Sequence, residues 1–233
     1  MKKVVSKIII SIVIIIIILP LSAVGYYFYI PDMNYLKITN PEKSSLMVTH
    51  ELRDKQKYSL NNRWLKINSI PKEFVKTLLI AEDASFYFHN GYDLEEIKAS
   101  FEKNMETGKV SRGGSTITQQ LAKNLFLSTD KSYIRKLKEL IYSIKLENTL
   151  PKKRILEIYL NIIEMDKGVF GMENGSFNYY GKSILDLNID EFLGLVCLIP
   201  RPVKEHPGST SKWYTSRYKK LHNKLVYYKV IED

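Results

Sequence analysis

From Ile8 to Ile30 the chain runs 23 residues without a formal charge, and beyond it apolar positions recur at helical spacing between short polar breaks. At about 1.5 Å rise per residue the first run is long enough to cross a hydrocarbon core of roughly 30 Å. Lys2, Lys3 and Lys7 precede it, and Tyr26, Tyr27, Phe28 and Tyr29 close it. Lysines before an apolar span keep that end in the cytoplasm, and aromatic rings favour the membrane–water boundary. A secretory signal peptide with Ile8 to Leu19 as its apolar core is the competing reading. Against it, Leu21-Ser22-Ala23 is a poor cleavage site and bulky aromatics follow. The pattern therefore predicts a basic cytoplasmic terminus over residues 1–7, an uncleaved transmembrane anchor over 8–30 and an extracytoplasmic remainder.

Residues 31–62 are polar and interrupted by Pro31 and Pro41, as expected of a juxtamembrane connector with one or two short helices. Over 63–233 a helical period dominates. Ile70-Pro71 reads as a helix start, followed by Phe74, Leu78, Leu79 and Ala81. Asp93 to Met105 is a second helical stretch. Gly108, Gly113 and Gly114 then mark a loop, and a helix resumes over Ser115 to Leu127 with Ser115 or Thr116 as its N-cap. Ile134, Leu137, Leu140, Ile141 and Ile144 define an amphipathic helix over Tyr133 to Leu150, and Pro151 separates it from another over Lys152 to Ile163. Ile189 to Leu198 is nearly all apolar and reads as a buried helix stopped by Pro200 and Pro202. Tyr214, Tyr218, Leu221 and Leu225 keep helical spacing in the basic tail. Strand signals are weak throughout, so the expected fold class is mostly α.

Composition adds a direction. The net charge of +10 at pH 7 points to an anionic partner, whether nucleic acid, a phospholipid surface or a phosphorylated substrate. A single cysteine, Cys197, excludes an internal disulfide; within its apolar run it reads as a small buried hydrophobe.

Three segments could carry chemistry. Glu82-Asp83 ends an apolar helix, where partial desolvation raises a carboxyl pKa and suits it to proton transfer; a solvated helix-end Glu is the plainer alternative. Arg112 through Gln120 places glycines, hydroxyls and amides at a loop-to-helix junction, with Lys123 one turn on. Such a junction attracts anions, or is simply a capped helix. Arg135, Lys136, Lys138 and Glu139 lie together, with Lys131 one turn earlier, as a solvated face or as a clamp for a diphosphate. The Gly181-Lys182-Ser183 echo of a phosphate loop lacks its upstream glycine, because Ser176 stands there.

Taken in order, these segments resemble the motifs of the peptidoglycan glycosyltransferases, glycosyltransferase family 51, and among them the monofunctional enzymes. Glu82 to Gly91 resembles the first motif, Gly113 to Gln120 continuing to Lys123-Asn124 the second, Arg135 to Glu139 the third, Arg154 to Asn161 the fourth, and Pro200-Arg201-Pro202, more weakly, the fifth. Gly168 to Glu173 and Tyr179 to Lys182 also look familial. Departures are Lys131, where Arg is frequent, Asn174-Gly175-Ser176 in place of small alanines, and Met165-Asp166-Lys167.

The resemblance implies a lysozyme-like helical domain that polymerises lipid II into β-1,4-linked glycan strands, releasing undecaprenyl diphosphate. It implies Glu82 and Glu139 as catalytic residues, Glu82 being the general base. Asp83, Phe86, Ser115, Gln119, Gln120, Lys123, Lys131, Arg135, Lys138 and Tyr179 would bind substrate. It allows a divalent cation, Mg²⁺ or Mn²⁺, with Glu139 either holding that cation or orienting the basic side chains, and it calls for no organic cofactor. Expected partners are lipid II, the growing strand, membrane lipids and other cell-wall synthesis proteins, not nucleic acid. The rival expectations are a lysozyme-like glycan-cleaving enzyme, which needs no diphosphate clamp, and an inactive membrane-bound scaffold.

Overall fold

The computed structural model describes residues 13–15, 17, 18, 20–22, 25, 30–58, 60, 63–107, 114–127, 129 and 132–232. It divides into two units, residues 1–33 and residues 34–233. In the first, the described residues between 13 and 25 are helical and exposed. The expected basic terminus with Lys2, Lys3 and Lys7 and most of the expected anchor lie outside the described residues, and so do Arg112, Gly113 and Lys131. Among the described residues no helix is long and apolar enough to cross a membrane.

The second unit is mostly helical, as the periodicity predicts. Its helices are α1 (Ser45–Asp54), α2 (Lys72–Glu82), α3 (Leu94–Thr107), α4 (Ile117–Phe126), α5 (Tyr133–Thr149), α6 (Lys152–Ile162), α7 (Met172–Tyr180), α8 (Ile189–Leu198) and α9 (Lys212–Tyr227). The strand content described is one small antiparallel hairpin, β1 (Glu164–Asp166) with β2 (Val169–Phe170), pairing Glu164 with Phe170 and Asp166 with Val169.

Two helices organise the core. α4 is buried on nearly every face and packs on α5, α6 and α1. Its start is closed by a capping box in which the Thr116 hydroxyl accepts from the Gln119 N–H and the Gln119 side chain accepts from the Thr116 N–H. α8 is buried from Phe192 to Leu198 and packs on α2 and α9, with Phe74 and Phe192 stacked at 4.3 Å between ring centroids. Burying such a leucine or phenylalanine side chain contributes about 1.5–3 kcal/mol. The Cys197 thiol lies in this core, and burial pushes its pKa up to about 12, so it stays protonated and inert.

From Asn34 on, the described part of the expected connector packs with the helical unit. The compact unit begins at Asn34, not at residue 63. Ser44 caps α1, Met47 and His50 are buried, and Val48 and Leu52 face solvent. The Arg154 guanidinium donates to the Leu36 and Thr39 carbonyls and to Asn40 Oδ1. Two of these three acceptors are main-chain carbonyls, of which side-chain polarity carries no record.

His50 faces Glu164 across this junction, Nδ1 to Oε1 being 3.2 Å. Burial raises the Glu164 pKa to about 7, opposed by Arg53 and reinforced by Asp166 and Asp54. Between the ordinary carboxylate value and about pH 7 the native state thus binds more protons than the unfolded chain, and stability falls as pH rises through that window. His50, held below its ordinary pKa by burial and Arg53, acts in the opposite sense and is present with or without Glu164. Glu164→Gln is therefore expected to raise the melting temperature relative to the parent more at pH 8 than at pH 5. An equal difference at both values would remove the buried carboxylate from the pH dependence of stability.

Candidate active site

α2 ends where the Asp83 N–H bonds back to the Leu79 carbonyl and the chain turns into a short 3-10 helix over Phe86–Phe88. Asp83 drives that turn inward. Its carboxylate accepts from the Ile117 N–H at 2.9 Å, at the start of α4, and meets His89 Nε2 at 3.0 Å. A carboxylate at a helix N-terminus is electrostatically favoured. Gly91, at φ +91°, lets the following loop lie directly on the Ser143 backbone of α5, where a Cβ would be crowded at 3.0 Å. Its carbonyl accepts from the Thr116 hydroxyl at 2.8 Å. The first two motifs are thereby fastened together.

Glu82, one residue earlier, is left between three helices. Its side chain is 8% exposed. Oε1 accepts from Arg217 Nη2 of α9 at 2.6 Å, and Oε2 accepts from Gln120 Nε2 of α4 at 3.0 Å. Gln120 Oε1 in turn accepts from the Tyr159 hydroxyl at 2.9 Å, and Arg217 Nε donates to the Cys197 carbonyl at 3.2 Å. Burial raises the Glu82 pKa from its ordinary value, against the lowering effects of Arg217 and Gln120. The carboxylate is thus both desolvated and oriented, as a general base requires.

Gln120, which bonds Glu82, also lines a cavity of about 360 Å³, together with Lys123, Asn124, Arg135 and Glu164 and the apolar Ile199, Pro200 and Pro202. Glu139 sits behind the cations with its side chain 4% exposed. Its Oε2 accepts from Arg135 Nη1 at 2.7 Å and its Oε1 accepts from Lys136 Nζ, which also donates to Ser115 Oγ at 2.8 Å. Desolvation lowers the Lys123 pKa, with Arg135 and Lys136 adding to the effect and Glu139 and Glu82 opposing it. A cavity walled in this way is suited to a diphosphate bearing a polar headgroup.

Of the two roles left open for Glu139, the geometry matches orientation of the cations. Both of its oxygens are engaged by Arg135 and Lys136, and among the described residues no group of three His, Cys, Asp or Glu side chains could hold a metal ion. A dication at Glu139 would face the positive groups that already neutralise it, so these residues do not fit a protein-held Mg²⁺ or Mn²⁺.

Several residues expected to bind substrate make contacts within the protein. Asp83 spends both oxygens on Ile117 and His89, Phe86 is fully buried, and Gln119 is consumed by the capping box. Tyr179 donates to the Met165 carbonyl at 3.3 Å and packs α7 on the hairpin. Lys138 is half-buried on α5 and is not part of the cavity wall. The fourth motif is likewise structural, apart from Tyr159. Glu157 accepts from Trp64 Nε1 and the Ile67 N–H, while Asn161 pairs with the Leu65 backbone. Arg217 and Tyr159 join the site without having been singled out, and Lys136 joins it from the basic cluster of the third motif. Lys136 and Tyr159 lay inside recognised motifs, whereas nothing in the basic tail distinguished Arg217 from its neighbours.

The profile of the transglycosylase family matches residues 48–226, spanning every element that builds this site. The chain belongs to the transglycosylase family. It is similar to the biosynthetic peptidoglycan transglycosylase of Nitrosospira multiformis, at 37% identity over 205 residues, covering 86% of this chain and 89% of the relative. The protein of the same description from Paraburkholderia phytofirmans is 40% identical over 187 residues, 78% of each chain. That from Janthinobacterium sp. strain Marseille is 37% identical over 219 residues, 92% of this chain and 93% of the relative.

Proposed function

We propose that this transglycosylase polymerises lipid II into β-1,4-linked glycan strands of peptidoglycan by inverting displacement, with Glu82 as general base. As a family member the chain is a peptidoglycan glycosyltransferase. The observation that carries the mechanism is a buried carboxylate bonded to Gln120, which lines a cavity together with Lys123 and Arg135. The acceptor 4-hydroxyl attacks the anomeric carbon of the growing strand, its proton passes to Glu82, and the bond to the undecaprenyl diphosphate breaks. Of the two groups on Glu82, the neutral Gln120 amide yields to the hydroxyl more readily than the Arg217 guanidinium, because charge-assisted bonds are roughly twice as strong. Lys123 and Arg135 stabilise the departing diphosphate, with Glu139 holding Arg135 and Lys136 in place.

The substrate's lipid agrees with an extracytoplasmic domain working against the cytoplasmic membrane, anchored by a single pass over residues 8–30 with the N-terminus inside. Exposed apolar side chains support this reading: Phe88 at 91%, Tyr133 at 97%, Leu94, Met105, Ile134 and Leu137.

Incubation with labelled lipid II should yield glycan polymer, while finished glycan is left intact. Cleavage of glycan without polymerisation would overturn the reading in favour of a lysozyme-like hydrolase. Arg135→Ala should lower lipid II turnover about tenfold or more, since a charge-assisted contact is worth roughly 1.5–3 kcal/mol. Wild-type turnover in this variant would return α5 to a solvated face.

A further inference from the structure

We infer that Trp213 is a positioning residue for this reaction: together with Arg201 of the fifth motif it holds the Arg217 guanidinium on Glu82. The inference rests on the reading of Glu82 as the base. Arg217 reaches Glu82 from α9, 135 positions along the chain, through a long side chain whose rotamers must be restrained. One restraint is the Cys197 carbonyl on α8 at 3.2 Å. The other is Trp213, one turn earlier on the same face of α9, whose ring centroid lies 5.9 Å from Arg217 Cζ. Arg201 Cζ lies 4.5 Å from the same centroid. Arg201 is itself fixed just beyond α8, its N–H donating to the Leu198 carbonyl at 2.7 Å. The indole ring electrostatically favours both guanidinium groups, so the end of α8 and the start of α9 are joined at the point from which Arg217 departs.

The consequence is a specific pH signature. The groups acting on Glu82 are Asp83 just after α2, Gln120 and Lys123 on α4, Tyr159 on α6, Cys197 on α8 and Arg217 on α9. Burial keeps the Tyr159 hydroxyl and the Cys197 thiol protonated across the working range. Arg217 and Gln120 favour the ionised carboxylate, and burial and Asp83 oppose it. A loosened Arg217 therefore moves the Glu82 titration upward, and the loss of rate is greatest on the acid side.

The test is kcat/KM for lipid II between about pH 5 and pH 9, measured on the full chain and on Trp213→Ala, Trp213→Phe and Glu82→Gln. Trp213→Ala should lose about threefold to tenfold at the acid end and less at the alkaline end, and Trp213→Phe should recover most of it, matching the strength of a cation–π contact. A uniform loss at every pH, or an unchanged profile, overturns the inference. If Trp213→Ala melts early, Arg201→Gln leaves the indole in place and should show the same acid-side shift; no shift there overturns it equally. Glu82→Gln separates the two levels. Full turnover in that variant removes the base assignment itself. An inactive Glu82→Gln beside an unshifted Trp213→Ala removes only the positioning role.

Discussion

Glu82→Gln should lower polymerisation of lipid II by about 10²–10⁴-fold, the usual contribution of a positioned general base. The amide keeps the size of the carboxylate and can still meet Gln120 and Arg217, so the fold and the capacity to bind a diphospholipid should persist. In the parent enzyme the acid limb of kcat/KM should lie above the ordinary carboxylate pKa of about 4.3, because burial raises Glu82. Asp83→Asn provides the contrast. Asp83 holds the start of α4 and His89, so its loss should show first in thermal stability and only indirectly in rate. A Glu82→Gln enzyme polymerising at the parent rate would end the assignment of Glu82 as base.

Arg217→Met should be comparably damaging for a different reason. The substitution roughly preserves volume but leaves a buried carboxylate without the cation bound to Oε1. Breaking one partner of a buried pair costs about 3 kcal/mol or more. The sign follows from protonation. With Arg217 absent, the folded-state pKa of Glu82 rises further above its unfolded value, so the folded variant binds the extra proton at intermediate pH. Its stability is then best retained at low pH and declines as pH rises through that window. Chemical denaturation should therefore show a larger deficit at pH 8 than at pH 5, accompanied by a loss of polymerisation. Equal deficits at the two pH values would assign Arg217 to packing alone.

Much of the helical order follows directly from residue patterns. Phe74, Leu78 and the apolar run at Ile189–Leu198 announce α2 and α8 because a helix must bury one stripe or, when apolar all round, its whole surface. Thr116 with Gln119 three residues on is a local capping box, and Pro151 a local stop. The motif residues Glu82, Gln120, Lys123, Arg135 and Glu139 were legible for the same reason: their chemistry is carried by short ordered segments.

What stayed hidden involves contacts between distant parts of the chain. Phe86 and Gln119 sit inside motifs yet point into the protein, and a motif does not state which way a side chain faces. The segment from Asn34 looks like a connector because two of the three groups that tie it to Arg154, the carbonyls of Leu36 and Thr39, belong to the backbone.

By itself, then, the sequence determined a basic, mostly helical chain with an apolar N-terminal run and a set of ordered family motifs, since helical periodicity, caps and short motifs depend on residues within a few turns of one another. Only the tertiary structure decided that Glu82 is closed between Gln120 and Arg217, that Glu139 is committed to Arg135 and Lys136, and that Trp213 and Arg201 meet at the root of Arg217. Those pairings depend on how α2, α4, α8 and α9 pack, and helical periodicity shows which face of a helix is buried but not which residue of another helix it will meet.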